Sequence, residues 1–93
     1  MINAQGKSIV ISASAAINAK AGRVLGVMIK AGSDAATVKL LDGGAGGTQK
    51  TTALPVGVGA FDYIEFTNGI QFSTSIYATI TGTTPEVAVI FED

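Results

Sequence analysis

The sequence has no cysteine, no histidine and no tryptophan, and only two of its 93 residues are proline. Without cysteine no disulfide can staple the fold. Without Cys or His the usual ligands of zinc, copper and haem are missing, so we expect neither a metal centre nor another cofactor. Charge is also scarce. Charged residues make up 14% of the chain, against roughly 25% in an ordinary soluble domain. Six basic residues stand against seven acidic ones, a net charge of -1. The basic residues, Lys7, Lys20, Arg23, Lys30, Lys39 and Lys50, are scattered singly. No basic stripe exists to neutralise a row of phosphates or to hold a membrane surface, so neither partner is expected. Long apolar runs are absent too. The longest clean one, Val24 to Ile29, falls far short of the roughly 18 residues that span a bilayer. Lys7, the stretch Ile9 to Ala19 and Ala19-Lys20-Ala21 together imitate a secretory leader. Ser12, Ser14 and Asn18 dilute that stretch, and we expect no leader.

What remains is apolar and small. Hydrophobic residues form 47% of the chain, mean hydropathy is +0.45 and there are 12 glycines. A single domain of this size buries roughly two-thirds of the surface its unfolded chain exposes, which leaves a thin margin of stability. Contacts with other protein chains are the reinforcement still open to it. The surface, built largely of Gly, Ala, Ser and Thr with apolar side chains left over, is suited to being covered.

The apolar residues repeat with a period of two. Ser8 to Ser12 is short, β-branched and strand-like. Arg23 to Lys30 alternates Leu25, Val27 and Ile29 with Val24, Gly26 and Met28, and its two nearly apolar faces predict cover on both sides. Ala36 to Leu41 should turn Val38 and Leu40 inward and Thr37 and Lys39 outward. Ala53 to Val58 carries Pro55, which favours a sheet edge. Phe61, Tyr63 and Glu65 share one face of the next strand, and Asp62, Ile64 and Phe66 the other. Asn68-Gly69 predicts a hairpin turn leading to a short strand with Ile70 and Phe72. Ile76, Ala78 and Ile80 point inward on the next strand, and Val87, Val89 and Phe91 form the last apolar row. Ala13 to Ala21 has no helical stripe and reads as a loop. The expected fold is therefore all-β: a single-domain β-sandwich of jelly-roll or Greek-key type with about seven or eight short strands over residues 8–93, preceded by an arm over residues 1–7.

Motifs for chemistry are wanting. Gly6-Lys7-Ser8 resembles the end of a phosphate-binding loop, but the earlier glycine is replaced by Met1 and no strand precedes it. The Gly43–Gly47 run lacks dinucleotide-binding spacing and a following helix. Asp62 and Glu65 point to opposite faces, Asp34 and Asp42 flank one strand at its two ends, and Glu92 and Asp93 close the chain. All six read as solvated surface groups. Hydroxyls are plentiful without a histidine base, so no enzyme and no small-molecule substrate are expected. Tyr63 and Tyr77 are the only tyrosines that could stack on a glycan, and they serve equally well as caps on the sandwich.

A further pattern lies in the order of several segments over about seventy residues: Gly22-Arg23-Val24-Leu25-Gly26-Val27, Ala31 to Val38, Leu40-Leu41-Asp42-Gly43, Asn68 to Thr74 and Ile76 to Gly82, closed by a final strand. In that order the chain resembles the small one-domain β-sandwich decoration, or cement, proteins of tailed bacteriophages. The resemblance implies a structural virion subunit on the outer capsid surface, often trimeric, which contacts the major capsid protein and reinforces the shell where capsomers meet. It implies no catalytic residues. A tail, neck or short-fibre component of the virion is the neighbouring alternative, and a free glycan- or receptor-binding module the more distant one. Two polar segments are the expected contacts with neighbouring chains: the arm (Met1, Ile2, Asn3, Gln5 and Lys7) and the Gly43–Lys50 loop (Gly44, Gly46, Thr48 and Lys50). Each is long enough to reach roughly 20 Å if extended.

Overall fold

A computed structural model describes residues 7–92 of the chain. Among them are nine strands and no helix: β1 (Lys7–Ile11), β2 (Ala15–Asn18), β3 (Gly22–Lys30), β4 (Ala36–Asp42), β5 (Thr48–Gln49), β6 (Leu54–Val56), β7 (Phe61–Phe72), β8 (Ile76–Thr81) and β9 (Glu86–Glu92). They form two antiparallel sheets. One has the order β1-β9-β3-β7. The other runs β2-β8-β4-β5, with β6 also paired to β4. The chain is in effect a long antiparallel ribbon: β1 lies with β9, β2 with β8, β3 with β7, and β4 with β5 and β6. Rolling that ribbon brings β9 beside β3 and β8 beside β4 and closes both sheets. This is jelly-roll order. The shortest dimension of the molecule, 18 Å, suits two sheets packed roughly 10 Å apart with a layer of side chains outside each.

The core lies between the sheets. Val24, Val27 and Ile29 of β3, Val87, Val89 and Phe91 of β9 and Phe72 of β7 meet Val38 and Leu40 of β4 and Ile76 and Ala78 of β8. Except at one irregularity in β3, these are the alternate residues of each strand, as a period of two requires when one face is buried. Ile9 and Ile11 on β1 and Phe66 and Ile70 on β7 extend the core to the edges of the four-stranded sheet.

Several sequence expectations are corrected. β3 does not keep one phase. Val24 pairs with Phe91 and Gly26 with Ile90, so Leu25 is an extra residue in the ladder. The extra residue shifts the alternation, placing Val24 rather than Leu25 in the core with Val27 and Ile29. On the partner strand, Glu65 pairs with Gly26 and Ile70 with Val24, which leaves Phe66 to Gly69 bulging opposite Leu25. Asn68 and Gly69 do have positive φ, 70° and 75°, but they do not reverse the chain. β7 continues through them as one twelve-residue strand, and the predicted hairpin is a bulge. Ala15–Asn18, expected within a loop, is a strand on β8. Lys7, expected in the arm, opens β1 opposite Phe91.

The Gly43–Lys50 segment is likewise folded back rather than extended. Thr48 and Gln49 pair with Asp42 and Leu41, the Gly47 N–H donates to the Gly44 carbonyl at 2.9 Å, and the Lys50 N–H donates to the Leu40 carbonyl at 2.8 Å.

Candidate functional site

The two sheets present different outer faces. On the five-stranded sheet, Thr37 of β4 stands between Thr81 and Pro55, and Lys39 faces Thr79. The Thr37 and Thr81 hydroxyls are 2.7 Å apart and hydrogen-bonded. At this end the face carries small polar groups and one lysine; farther along the same strands Tyr77 stands against Leu41.

The outer face of the four-stranded sheet is apolar. One cross-strand row runs Val10–Ala88–Met28–Tyr63. The next carries Ser8, Ile90, Gly26 and Glu65. At one end Lys30 stands between Glu86 and Phe61. Val10 is 65% exposed, Phe61 61% and Tyr63 46%. Among the described residues these are three of the four large apolar side chains that stand most in water; the fourth, Val58, lies in the turn before β7. Val10, Met28, Phe61 and Ala88, with Lys30 and Glu86, line a shallow groove of about 280 Å³. Covering a fully exposed side chain of this size contributes roughly 1.5–3 kcal/mol, so a partner burying these three partly exposed ones gains on the order of 1 kcal/mol from each. β3 was expected to be covered on both faces. Within the chain only the inner face is, and Leu25 and Met28 remain half-buried on the outer one.

Tyr63 also shapes this face. Its ring crosses Gly26, where an added Cβ would come within 3.1 Å of the phenol ring and 3.0 Å of the Ile64 carbonyl. The glycine lets the ring lie against the sheet, and the ring in turn shields a strand position that has no side chain. Tyr77 lies on the opposite outer face, opposite Leu41 and Ala16. The two tyrosines therefore stand on different sheets and do not form one stacking platform.

Expected contact residues fall in separate places. Met1, Ile2, Asn3 and Gln5 lie outside the described residues. Lys7 is on an edge of the four-stranded sheet. Gly44, Gly46, Thr48 and Lys50 belong to the hairpin at an edge of the five-stranded one. The Lys50 ammonium is 5.9 Å from the centre of the Phe72 ring, so its charge is engaged within its own chain. The sequence reading missed the apolar face as a site. Its signal was present in the uncovered second face of Arg23–Lys30 and in Phe61 and Tyr63 at a spacing of two.

Polar clusters elsewhere serve the fold. Asp42, read from sequence as a solvated group, ends β4 and holds the crossover from β7 to β8. Its Oδ2 accepts from the Ser73 N–H at 2.9 Å and the Ser73 hydroxyl at 3.0 Å, and its Oδ1 from the Thr74 and Ser75 N–H groups at 2.9 and 3.3 Å. The amides of Ser73 and then Thr74, which stabilise the ionised form, lower its pKa to about 2 despite an opposing cost of burial. With all its acceptor sites engaged in holding a turn, Asp42 is an anchor and not an acid or base. Arg23 and Glu92 approach only to 3.9 Å on the surface, a pair worth little. An open depression of about 650 Å³ at one end of the sandwich is lined by Ser12, Gly32, Thr84, Lys30 and Glu86. It brings one amine, one carboxylate and two hydroxyls to a surface open to water. Among the described residues no group of three potential metal-ligating side chains comes together.

Compared with known proteins, the chain matches no family model and no curated sequence.

Proposed function

We propose that this protein is a structural subunit that works by packing against other protein chains, as a capsid decoration or cement protein on the outside of a bacteriophage head. The observation that carries the reading is the apolar outer face of the four-stranded sheet, where Val10, Met28, Phe61 and Tyr63 lie together without cover from their own chain. Contiguous apolar surface rimmed by polar groups marks a protein-contact site. Here the rim is Lys30, Glu86, Ser8 and Glu65. The sequence resemblance supplies the setting. The major capsid protein is the expected partner, and a homo-oligomer, with a trimer favoured, is the expected form. A lattice suits such a subunit because many modest contacts add when they repeat over one particle.

The test is to add the purified chain to shells that lack it, count the bound copies per particle and locate them by electron microscopy. Copies spread over the outer head surface with the periodicity of the shell are the expected result. A single ring at one vertex would move the protein to the tail or neck. The free glycan-binding reading would be favoured instead by selective glycan binding that is lost in Tyr63→Ala or Tyr77→Ala.

A further inference from the structure

We infer that Asn68-Gly69 is a site of spontaneous chemical modification, at which the folded chain converts Asn68 to a mixture of aspartate and isoaspartate. This goes beyond the packing function proposed above and needs no partner. The sequence contains the pair Asn-Gly once. The reaction requires an asparagine whose side-chain amide is free to turn, followed by a residue whose backbone nitrogen can be reached. Glycine meets the second condition, because no side chain crowds its nitrogen and its backbone moves readily. The fold meets the first. Asn68 is exposed, and among the described residues none hydrogen-bonds to its side-chain amide.

The bulge in β7 sets the pair apart from the ladder. Glu65 aligns with Gly26 and Ile70 with Val24, so the peptide between Asn68 and Gly69 lies in a stretch that aligns with no residue of β3. Opening such a stretch locally costs far less than unfolding the strands around it. Both residues have positive φ, a conformation that Asn and Asp tolerate better than most side chains, so aspartate fits where asparagine stood. Two other places in the chain show what protection looks like. Asp42-Gly43 has the same following glycine, but the Asp42 carboxylate is tied down by Ser73, Thr74 and Ser75 and is ionised at neutral pH. An ionised, immobilised carboxylate is a poor target for a nitrogen nucleophile. Asn18 is followed by Ala19, whose methyl group crowds the attacking nitrogen, and its Nδ2 is buried.

In the reaction the Gly69 backbone nitrogen attacks Cγ of Asn68. The new C–N bond closes a succinimide ring, the bond from Cγ to Nδ2 breaks, and Nδ2 leaves as ammonia with the proton that Gly69 gives up. Water then opens the ring at either carbonyl. One opening gives aspartate; the other routes the main chain through the side-chain carbonyl and lengthens it by a methylene. Nothing is oxidised or reduced. Each conversion adds a negative charge beside Arg23, whose Nη1 donates to the Asn68 carbonyl at 3.4 Å and whose Nε lies 3.9 Å from Glu92. A cation is therefore already in place for the new carboxylate.

Ageing the purified chain in mildly alkaline buffer at body temperature tests the site, with its β circular dichroism spectrum followed throughout. Ion exchange should resolve a growing acidic form. Peptide mass spectrometry should place the change at residue 68, and part of the product should accept a methyl group from an isoaspartyl methyltransferase. The folded chain should react within about tenfold of the rate measured in denaturant, since only local opening is needed. Asn18 and Asp42 should stay unchanged over the same period. Asn68→Gln keeps the amide but lengthens the side chain past the favoured ring size, and it should form the acidic species far more slowly. Asn68→Asp should elute with that species from the start. Protection of the folded site by more than about tenfold relative to the unfolded chain would overturn the inference. So would an acidic form that accumulates as fast in Asn68→Gln as in the unmodified chain.

Discussion

The outer faces of the two sheets are built on the same core and by the same alternation, yet they meet water in different ways. The five-stranded sheet presents Thr37, Thr79, Thr81 and Lys39, and two of its hydroxyls bond to each other across strands. The four-stranded sheet presents Val10, Ala88, Met28 and Tyr63 in one row. Threonine keeps the β-branched shape that strands favour while offering a hydroxyl to solvent. Valine in the same place has the shape without the hydroxyl. The difference lies in what each face is prepared to touch, since both faces are equally good strand surfaces.

The comparison can be broken most severely through the core both faces share. Phe72 is fully buried between the sheets, and Phe72→Ala should cost about 3–5 kcal/mol, read as a fall in the denaturant midpoint. Both faces should fail together. Charge placed on one face separates them. Tyr63→Lys should weaken attachment to the partner shell by roughly tenfold or more while leaving the melting temperature within a few degrees. Thr79→Lys on the opposite face should change attachment by less than about twofold in the same assay.

The bulge that sets the phase of β3 and β7 gives a smaller effect. Gly69 has φ of 75°, and an added Cβ would collide with the Arg23 side chain. Gly69→Ala should therefore destabilise by about 1–2 kcal/mol in chemical denaturation, with Arg23 displaced from its contact with the Asn68 carbonyl.

The mildest perturbation is acid. Asp42 titrates near 2 in the folded chain, below its ordinary value of 3.8. Its contribution to stability is thus complete above about pH 4 and is lost as pH falls through 2. Asp42→Asn should lower stability at neutral pH and flatten that acid dependence, which thermal melts between pH 2 and pH 7 would show.

Much of this architecture was legible in the chain because alternation is local. Val38 and Leu40 against Thr37 and Lys39, or Phe61 and Tyr63 against Ile64 and Phe66, can be read off residues two apart. What the residues could not announce was where the period slips. Leu25 looks like an inward residue until the ladder shows that Val24 and Gly26 pair around it. Asn68-Gly69 has the composition of a hairpin, and only the continuous pairing of β7 with β3 shows that positive φ serves a bulge here. β2 was missed because Ala15-Ala16-Ile17-Asn18 has a single large apolar residue; its strand form comes from β8 beside it. Strand order was also hidden, being fixed by which distant rows match. The candidate face was only half legible. Its apolar composition could be read, but its lack of cover follows from the tertiary fold. The polar loops taken as contact segments were chosen for lacking a pattern, and Thr48 and Lys50 turned out to be tied back to β4.

Tyr63 and Tyr77, one on each outer face, allow a direct trial of the claim that the apolar face is the one other chains cover. Their chemical modification should be followed side by side in the free chain and in particles that carry it. The account predicts that assembly slows modification of Tyr63 severalfold or more and leaves the rate at Tyr77 nearly unchanged. Protection of Tyr77 with Tyr63 still freely modified would place the contact on the threonine face and contradict it.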